Sequence, residues 1–195
     1  LTPTFEVIDF TNPKINLISE IPNIVKNGDQ IDLIWDSSDN EVINSHIIEF
    51  SENNGETWEE IAKLPGTQKK WTWTVPNIVL DNSAILHVSV IDHVKLTNEI
   101  LSNSFSIIDE TDPELFIPLS KNQIEISEYD TLYQSFEISD NVQVNHLKIE
   151  YSNIPRQYKI AKDLNFEDNP TNSKSLKAAI PIPAGATKNA KLKAT

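Results

Sequence analysis

Hydrophobic and polar side chains alternate in short segments along most of the chain. The two-residue spacing is clearest in Ile31–Trp35, His46–Phe50, Trp71–Val75 and Leu86–Val90. Successive side chains of a β-strand point to opposite faces of its sheet, so this spacing is typical of strands with one buried face. No segment has a helical period, and Asn, Asp, Pro and Ser separate the segments. The pattern predicts an all-β antiparallel sandwich with no helix longer than about two turns.

The same alternation assigns individual side chains to the core or to solvent. Trp73 and Phe105 fall on the inward side of their strands, whereas Thr72, Thr74 and Ser106 fall on the outward side. Large rings fill a thin sandwich core well. We therefore expect both rings to be buried and the three hydroxyl side chains to face solvent.

A longer pattern repeats after about 100 residues. Thr4–Pro13 and Ser104–Pro113 share Phe, Ile, Asp, Thr and Pro at positions 100 residues apart, from 5 to 105 and from 13 to 113. Ser38–Asn40 and Ser139–Asn141 carry the same Ser-Asp-Asn triplet, 101 residues apart. A fixed period of this size indicates tandem copies of one domain.

The repeat predicts three parts of the chain. Residues 1–9 are the closing strand of a preceding, missing repeat, residues 10–108 form a first sandwich, and residues 109–195 form a second sandwich, truncated before its closing strand. Because the chain opens at Leu1 and lacks Met, we expect a piece of a longer protein whose other repeats are its neighbours. Either that protein supplies the missing strands, or copies join head to tail, with residues 4–8 of one completing the second sandwich of the next.

The order of several motifs resembles a known family. These motifs are the strand with Trp35, the Ser-Asp-Asn loop, S-x-N-x-G-x-T-W at 51–58, W-T-V-P at 73–76 and F-x-I-I-D-x-T-x-P at 105–113. Together they resemble the tandem immunoglobulin-like repeats of large bacterial surface and exported proteins. The resemblance implies two immunoglobulin-like or fibronectin-type-III-like β-sandwiches that serve outside the cell as a spacer, stalk or adhesive module. It implies no catalytic residues.

The composition of the chain limits the classes of partner that it could bind. The 195 residues include 29 acidic and 16 basic side chains, a formal net charge of −13, which argues against nucleic acid and anionic membranes and suits divalent cations or a cationic partner. Cysteine is absent and only four glycines occur, so disulfides and glycine-rich phosphate loops are excluded. No apolar run approaches the roughly 18 residues of a membrane span, so we expect no membrane insertion.

The segment Ser51–Trp58 is similar to the Asp-box of sialidases, with Asn53 in place of the Asp. Physically such a box is a hairpin turn: the Asx side chain caps turn amides, Gly55 supplies a positive φ, and the Trp packs beneath. A sialidase would also need several arginines to bind the substrate carboxylate, and Arg156 is the only arginine in the sequence. The box therefore predicts a turn rather than an enzyme.

The histidines and tryptophans favour structural roles. The four histidines, His46, His87, His93 and His146, form no i, i+4 pair, and no zinc pattern or catalytic triad is marked by the sequence. His46 matches Leu147 in the second copy, which indicates a sheet position that accepts an apolar residue. His87 falls on the outward side of its strand. Trp35, Trp71 and Trp73 could instead form an aromatic platform for sugar rings, but their alternation favours the core.

The acidic segments that precede the two copies, residues 9–13 and 109–113, are called hinges here. They give the one positive argument for a chemical site in this sequence. Asp109 and Asp112 precede the second copy, and in an immunoglobulin-like sandwich the loop that carries Asp140 lies beside the incoming linker. Clustered carboxylate oxygens are the ligands that Ca²⁺ prefers. We therefore predict a calcium site formed by Asp109, Asp112 and Asp140, and a weaker site with Asp9 and Asp39 at the first hinge. The alternative is a solvated hinge whose charges repel one another.

These observations together favour a non-catalytic, structural or adhesive segment of a modular bacterial surface or secreted protein, located outside the cell. Its partners would be neighbouring repeats and a cell-surface protein or glycan. The alternatives are accessory, carbohydrate-binding domains of a secreted hydrolase, which a catalytic domain in the parent gene would favour, and a fibre component, which a trimeric assembly would favour.

Overall fold

The computed structural model describes residues 4, 7–118, 126–154, 157–166, 171–182, 184 and 191–195. The regular secondary structure of these residues is entirely β-strand. The chain forms two compact units, Leu1–Glu110 and Thr111–Thr195. Within the described ranges, no helix has the length and apolar character needed to cross a membrane.

The first unit contains nine strands in the part of the chain described. They are β1 (Lys14–Leu17), β2 (Ile24–Lys26), β3 (Gln30–Ser38), β4 (Ile43–Ser51), β5 (Glu59–Pro65), β6 (Lys70–Thr74), β7 (Leu80–Asp92), β8 (Thr97–Leu101) and β9 (Phe105–Ile108). One sheet has the order β1-β3-β6, and the other has the order β2-β9-β7-β4-β5 with β8 paired to β7.

The two sheets of the first unit share one apolar core. Leu33, Trp35 and Trp73 enter it from the smaller sheet, and Ile48 and Phe105 enter it from the larger sheet. Phe105 is 1% exposed and Trp73 is 4% exposed, so the prediction that both rings are buried is confirmed. The first unit is thus a β-sandwich, with the alternating residues of both inner faces between the sheets.

Two details of the first unit differ from the sequence prediction. All strand pairs are antiparallel except β2 and β9, which run parallel with Ile24 opposite Ser106. Thr72 and Thr74 are exposed as expected, but Ser106 is half-buried, and its Oγ accepts a hydrogen bond from the backbone N–H of Asn82, at 2.9 Å. Asn82 has a positive φ of 49°, which turns the N–H toward the neighbouring strand.

A close backbone contact joins the turn after β5 to the start of β4. The N–H of Gly66 donates to the carbonyl of Asn44, at 3.0 Å. A Cβ atom at Gly66 would overlap the carbonyl oxygen of Ile43. Only glycine fits this approach without a backbone shift.

The second unit contains six strands in its described residues. They are β10 (Glu114–Phe116), β11 (Thr131–Val144), β12 (His146–Ile154), β13 (Gln157–Asn165), β14 (Thr171–Pro181) and β15 (Lys191–Ala194). The sheets have the orders β10-β11-β14 and β13-β12-β15. Phe136, Leu147 and Ile180 are among the side chains of its separate core.

The segment 1–9, predicted to be a closing strand, is described only at Thr4 and Val7–Asp9, and these residues form no strand. Residues 1–3, 5 and 6 lie outside the described residues. The joining of copies through residues 4–8 therefore stays a prediction.

Candidate metal centre

Three aspartates meet at one end of the first unit. Asp9 lies in the segment before β1, Asp39 begins the loop after β3, and Asp92 is the last residue of β7. Each offers a carboxylate oxygen, and these three atoms lie within 4.8 Å of one another. Asp92 is fully buried, and Asp9 and Asp39 are half-buried. In the described part of the chain, no other group of three or more His, Cys, Asp or Glu side chains has this spacing.

The β4–β7 ladder brings the end of β7 to the loop that carries Asp39. Asp92 lies opposite Ile43 in this ladder. The N–H of His93, one residue further, donates to the carbonyl of Val42, at 3.1 Å. The loop from Asp39 to β4 is therefore held against the end of β7.

Asp9 is fixed by two hydrogen bonds to one of its oxygens. The N–H of Thr11 donates to Oδ1 at 2.9 Å, and Nδ2 of Asn40 donates to the same oxygen at 3.1 Å. The Thr11 N–H, and after it the Asn40 amide, lower the pKa of Asp9 below its ordinary value of 3.8, although partial burial opposes them; a smaller lowering comes from His93. Asp9 is consequently ionised at neutral pH and ties the N-terminal segment to the Asp39–Asn40 loop.

Asp39 and Asp92 each use one oxygen in the same way. Oδ2 of Asp39 accepts from the N–H of Glu41 at 3.3 Å, and Oδ1 of Asp92 accepts from the N–H of Leu96 at 2.8 Å. The remaining oxygens are Oδ2 of Asp9, Oδ1 of Asp39 and Oδ2 of Asp92. All three are shielded from solvent and have no hydrogen-bond partner in the protein. Each carboxylate thus keeps one oxygen available for a ligand.

The chemistry of the three carboxylates indicates which ion this cluster would bind. Carboxylate oxygens are hard ligands, and Ca²⁺ binds six to eight such oxygens at roughly 2.3–2.6 Å. The cluster contains no thiolate or imidazole, the ligands that dominate zinc sites. A divalent cation of the calcium type matches the group.

The predicted calcium ligands have different outcomes in the structure. Asp9 and Asp39, predicted as the weaker pair, come together. Asp109 belongs to the first unit, whereas Asp112 and Asp140 belong to the second, so a site formed by these three stays a prediction. Oδ1 of Asp140 accepts hydrogen bonds from two backbone N–H groups that follow it in the chain, at 2.8 and 3.0 Å.

Asp92 was not predicted as a ligand. The signal was present, because the inward positions Leu86, Val88 and Val90 continue with the same spacing to Asp92. An aspartate on the buried face of a strand needs a partner, since an unpaired buried charge is costly. Extending the alternation by one step would have identified it.

The Asp-box segment forms the hairpin turn between β4 and β5, as predicted. Oδ1 of Asn53 accepts from the N–H of Thr57 at 2.9 Å, and Oγ of Ser51 accepts from the N–H of Gly55 at 2.8 Å. Gly55 has a φ of +88°, and a Cβ there would lie 3.1 Å from the ring of Trp58. The side chains of Ser51 and Asn53 thus hold the turn.

His87 lies on the outer face of the larger sheet, between two glutamates. Its Nδ1 is 2.8 Å from Oε2 of Glu49, its Nε2 is 3.2 Å from Oε2 of Glu99, and its side chain is 12% exposed. The ring of Trp58 covers it, with the ring centroids 5.3 Å apart. Because the carboxylates face opposite nitrogens of one ring, they do not share a metal position with it.

The three tryptophans predicted for the core differ in how deeply they are buried. Trp35 is 1% exposed, and Trp71 is partly buried against the same core as Trp73. Two of the three rings that could have formed an aromatic platform for sugars are therefore covered by protein.

Comparison with known proteins gives a limited result. No family model matches the chain, and no curated protein matches it by sequence. A solved structure of a 1.5-MDa bacterial ice-binding adhesin, determined to study retention at the host cell surface, is similar to it with 9% sequence identity and a TM-score of 0.35. The similarity covers 87% of this chain and 55% of the adhesin chain, so this chain spans about half the length of that structure.

Proposed function

We propose that the chain is a non-catalytic, structural or adhesive segment of a modular bacterial surface or secreted protein. It consists of tandem immunoglobulin-like or fibronectin-type-III-like sandwiches. The observation that carries the proposal is the succession of two all-β units, each with an apolar core of its own. Units that fold around separate cores can be strung in series without changing one another, which is what a spacer or stalk requires.

Matched positions in the two units support the proposal that the units are copies of one domain. Ser37 lies opposite Ile15 in the β1–β3 ladder, and Ile138 lies opposite Leu115 in the β10–β11 ladder. Ile138 follows Ser37 by 101 residues, the offset found in the sequence repeat. Leu115 follows Ile15 by 100 residues, so the offsets of 100 and 101 found in the sequence motifs also relate these paired strands.

The proposal places the chain outside the cell, in contact with neighbouring repeats and with a cell-surface protein or glycan. The net charge of −13 argues against nucleic acid and anionic membranes as partners. Ser51 and Asn53 of the Asp-box, the strongest enzyme-like motif, hold the β4–β5 turn with their side chains, which supports a non-catalytic role.

The test displays the chain on the surface of a bacterium, between an unrelated membrane anchor and a small domain that binds a known bead-bound ligand. A spacer should raise bead capture by cells with long surface polysaccharide, and an unrelated pair of β-sandwiches should do so equally. An adhesive segment should instead bind host cells or glycans when the distal domain is removed. A segment that changes neither bead capture nor cell binding would contradict both forms of the proposal.

A further inference from the structure

We propose that Asp9, Asp39 and Asp92 form a Ca²⁺-binding site that fastens the segment before β1 to the first unit. The three side chains come from separate parts of the sequence and offer oxygens within 4.8 Å of one another. Each has one oxygen that is shielded from solvent and without a partner in the protein. The site lies within the first unit and does not depend on the function proposed above.

Asp92 gives the strongest reason to expect a ligand. Its side chain is 0% exposed, and only its Oδ1 is satisfied, by the N–H of Leu96. A buried carboxylate oxygen without a partner is costly, and two further carboxylates nearby add repulsion. A divalent cation removes both costs, because it supplies the missing partner and compensates the clustered charge.

Geometry and charge favour Ca²⁺ among the common cations. Two oxygens on opposite sides of a calcium ion are about 5 Å apart, twice the Ca–O distance, so three oxygens that lie within 4.8 Å of one another can all contact one ion. Mg²⁺ usually keeps most of its water and binds one or two carboxylates. Three carboxylates, with water or carbonyl oxygens completing the shell, resemble extracellular calcium modules, whose Kd is on the order of 10⁻⁴–10⁻³ M.

Asp9 makes the site a fastening for the N-terminal segment. Asp39 and Asp92 belong to the sandwich, whereas Asp9 lies four residues before Pro13 and outside any strand. Its neighbours Ile8 and Phe10 are 58% and 82% exposed, so apolar packing contributes little to holding them. A shared cation would therefore supply much of the attachment of this segment.

The first experiment measures Ca²⁺ binding by calorimetry and melting of the intact chain. Asp39→Asn and Asp92→Asn keep one oxygen for the backbone N–H bond but remove the charged ligand, and exposed Asp81→Asn is the matched control for the loss of one charge. We expect Ca²⁺ to raise the Tm of the wild type and of Asp81→Asn. Each site variant should weaken binding by at least about tenfold, because affinity follows the number of charged ligands.

The second experiment reads out the segment itself by chymotrypsin cleavage and mass spectrometry. Cleavage after Phe10 should slow in Ca²⁺ for the wild type but not for Asp39→Asn. Cleavage after Tyr129, which is 80% exposed in the second unit, is the internal reference. If Asp92→Asn does not fold, Asp39→Asn decides the question.

Three results would overturn the proposal. One is a wild-type chain with no binding heat and unchanged Tm in about 10 mM Ca²⁺, well above the expected Kd. Another is binding that survives Asp39→Asn but is lost in Asp140→Asn, which would place the cation at the second hinge instead. Equal response to Mg²⁺ would reject the assignment to Ca²⁺.

Discussion

The buried Ser37–His46 pair allows one prediction to be worked out from the structure. Ser37 is 4% exposed, His46 is 0% exposed, and Oγ and Nε2 are 2.9 Å apart. In the second unit the matching residues are Ile138 and Leu147, which are 4% and 2% exposed in its core. One unit thus holds a polar pair where its counterpart holds an apolar pair.

The perturbation transfers the apolar pair into the first unit, as Ser37→Ile, His46→Leu and the double variant. His46→Leu alone leaves the buried Ser37 hydroxyl without its imidazole partner, which should cost about 1–3 kcal/mol. Ser37→Ile alone adds the strain of extra carbons beside the ring, again about 1–3 kcal/mol. Replacing both partners should be nearly neutral, within about 1 kcal/mol, so the two changes should couple by roughly 2–6 kcal/mol, the sum of the two single costs less that of the double variant.

The same pair predicts a pH dependence. Burial lowers the pKa of His46 below its ordinary value of 6.5; the Pro65 backbone opposes this shift, and Lys69 adds to it. Between the lowered pKa and about pH 6.5, the unfolded chain binds more protons than the folded chain. The free energy of unfolding therefore rises with pH through this range, and His46 causes no further change above it. The wild type should lose stability from pH 7.5 to pH 5, and variants with Leu at position 46 should lose less.

Urea unfolding followed by tryptophan fluorescence measures both effects. All four tryptophans, Trp35, Trp58, Trp71 and Trp73, lie in the first unit, so the signal reports that unit alone. Additive single and double variants would refute the claim that the two side chains depend on one another. An unchanged difference between pH 5 and pH 7.5 in the double variant would refute the assignment of that difference to His46.

Three further predictions concern the same unit and the same fluorescence assay. Gly66→Ala should destabilise by about 3 kcal/mol, because its Cβ overlaps a facing carbonyl, whereas Gly28→Ala, with φ +77° and open space around it, should cost about 1–2 kcal/mol; equal costs would contradict the packing argument. Phe105→Ala should cost about 3–5 kcal/mol through the cavity it leaves, and a cost below about 1 kcal/mol would show that the ring is not in the core. The hydrogen bond from Lys70 lowers the pKa of Asp32 below 3.8, so Asp32 stabilises the folded state above that pH, and this stabilisation is lost as the pH falls through the lowered pKa. The stability of Asp32→Asn should therefore depend less on pH in that range. An unchanged dependence would contradict this.

The sequence predicted the parts of the fold that depend on side-chain alternation. The alternation in Ile31–Trp35 predicted one buried face, and Leu33 and Trp35, two residues apart, are both buried. The parallel pairing of β2 could not be predicted in this way, because Ile24–Lys26 is too short for a period to be visible. Its partner strand, β9, lies about 80 residues later in the chain, a separation that local patterns do not encode.

The candidate metal centre was predicted in part for a similar reason. The resemblance to immunoglobulin-like repeats pointed to Asp9 and Asp39, because in that fold the loop that carries Asp39 is expected beside the incoming linker. Asp92 follows from the alternation of β7, but its meeting with the other two depends on the course of the loop from Asp39 to Val42. That course is set by backbone hydrogen bonds such as the one from His93 to Val42, which side-chain patterns do not reveal.

The parallel pairing of β2 with β9 has a mechanical consequence. The N–H of Ser106 donates to the carbonyl of Asn23 at 2.9 Å, and the N–H of Asn27 donates to the carbonyl of Ile108 at 3.1 Å, so bonds connect the two strands at both ends of their overlap. Tension between the two ends of the first unit would draw these parallel strands past each other along their common axis. The hydrogen bonds would then be strained together in shear rather than opened one after another, as in an unzipping hairpin. Such a unit would resist pulling with little extension and then give way abruptly.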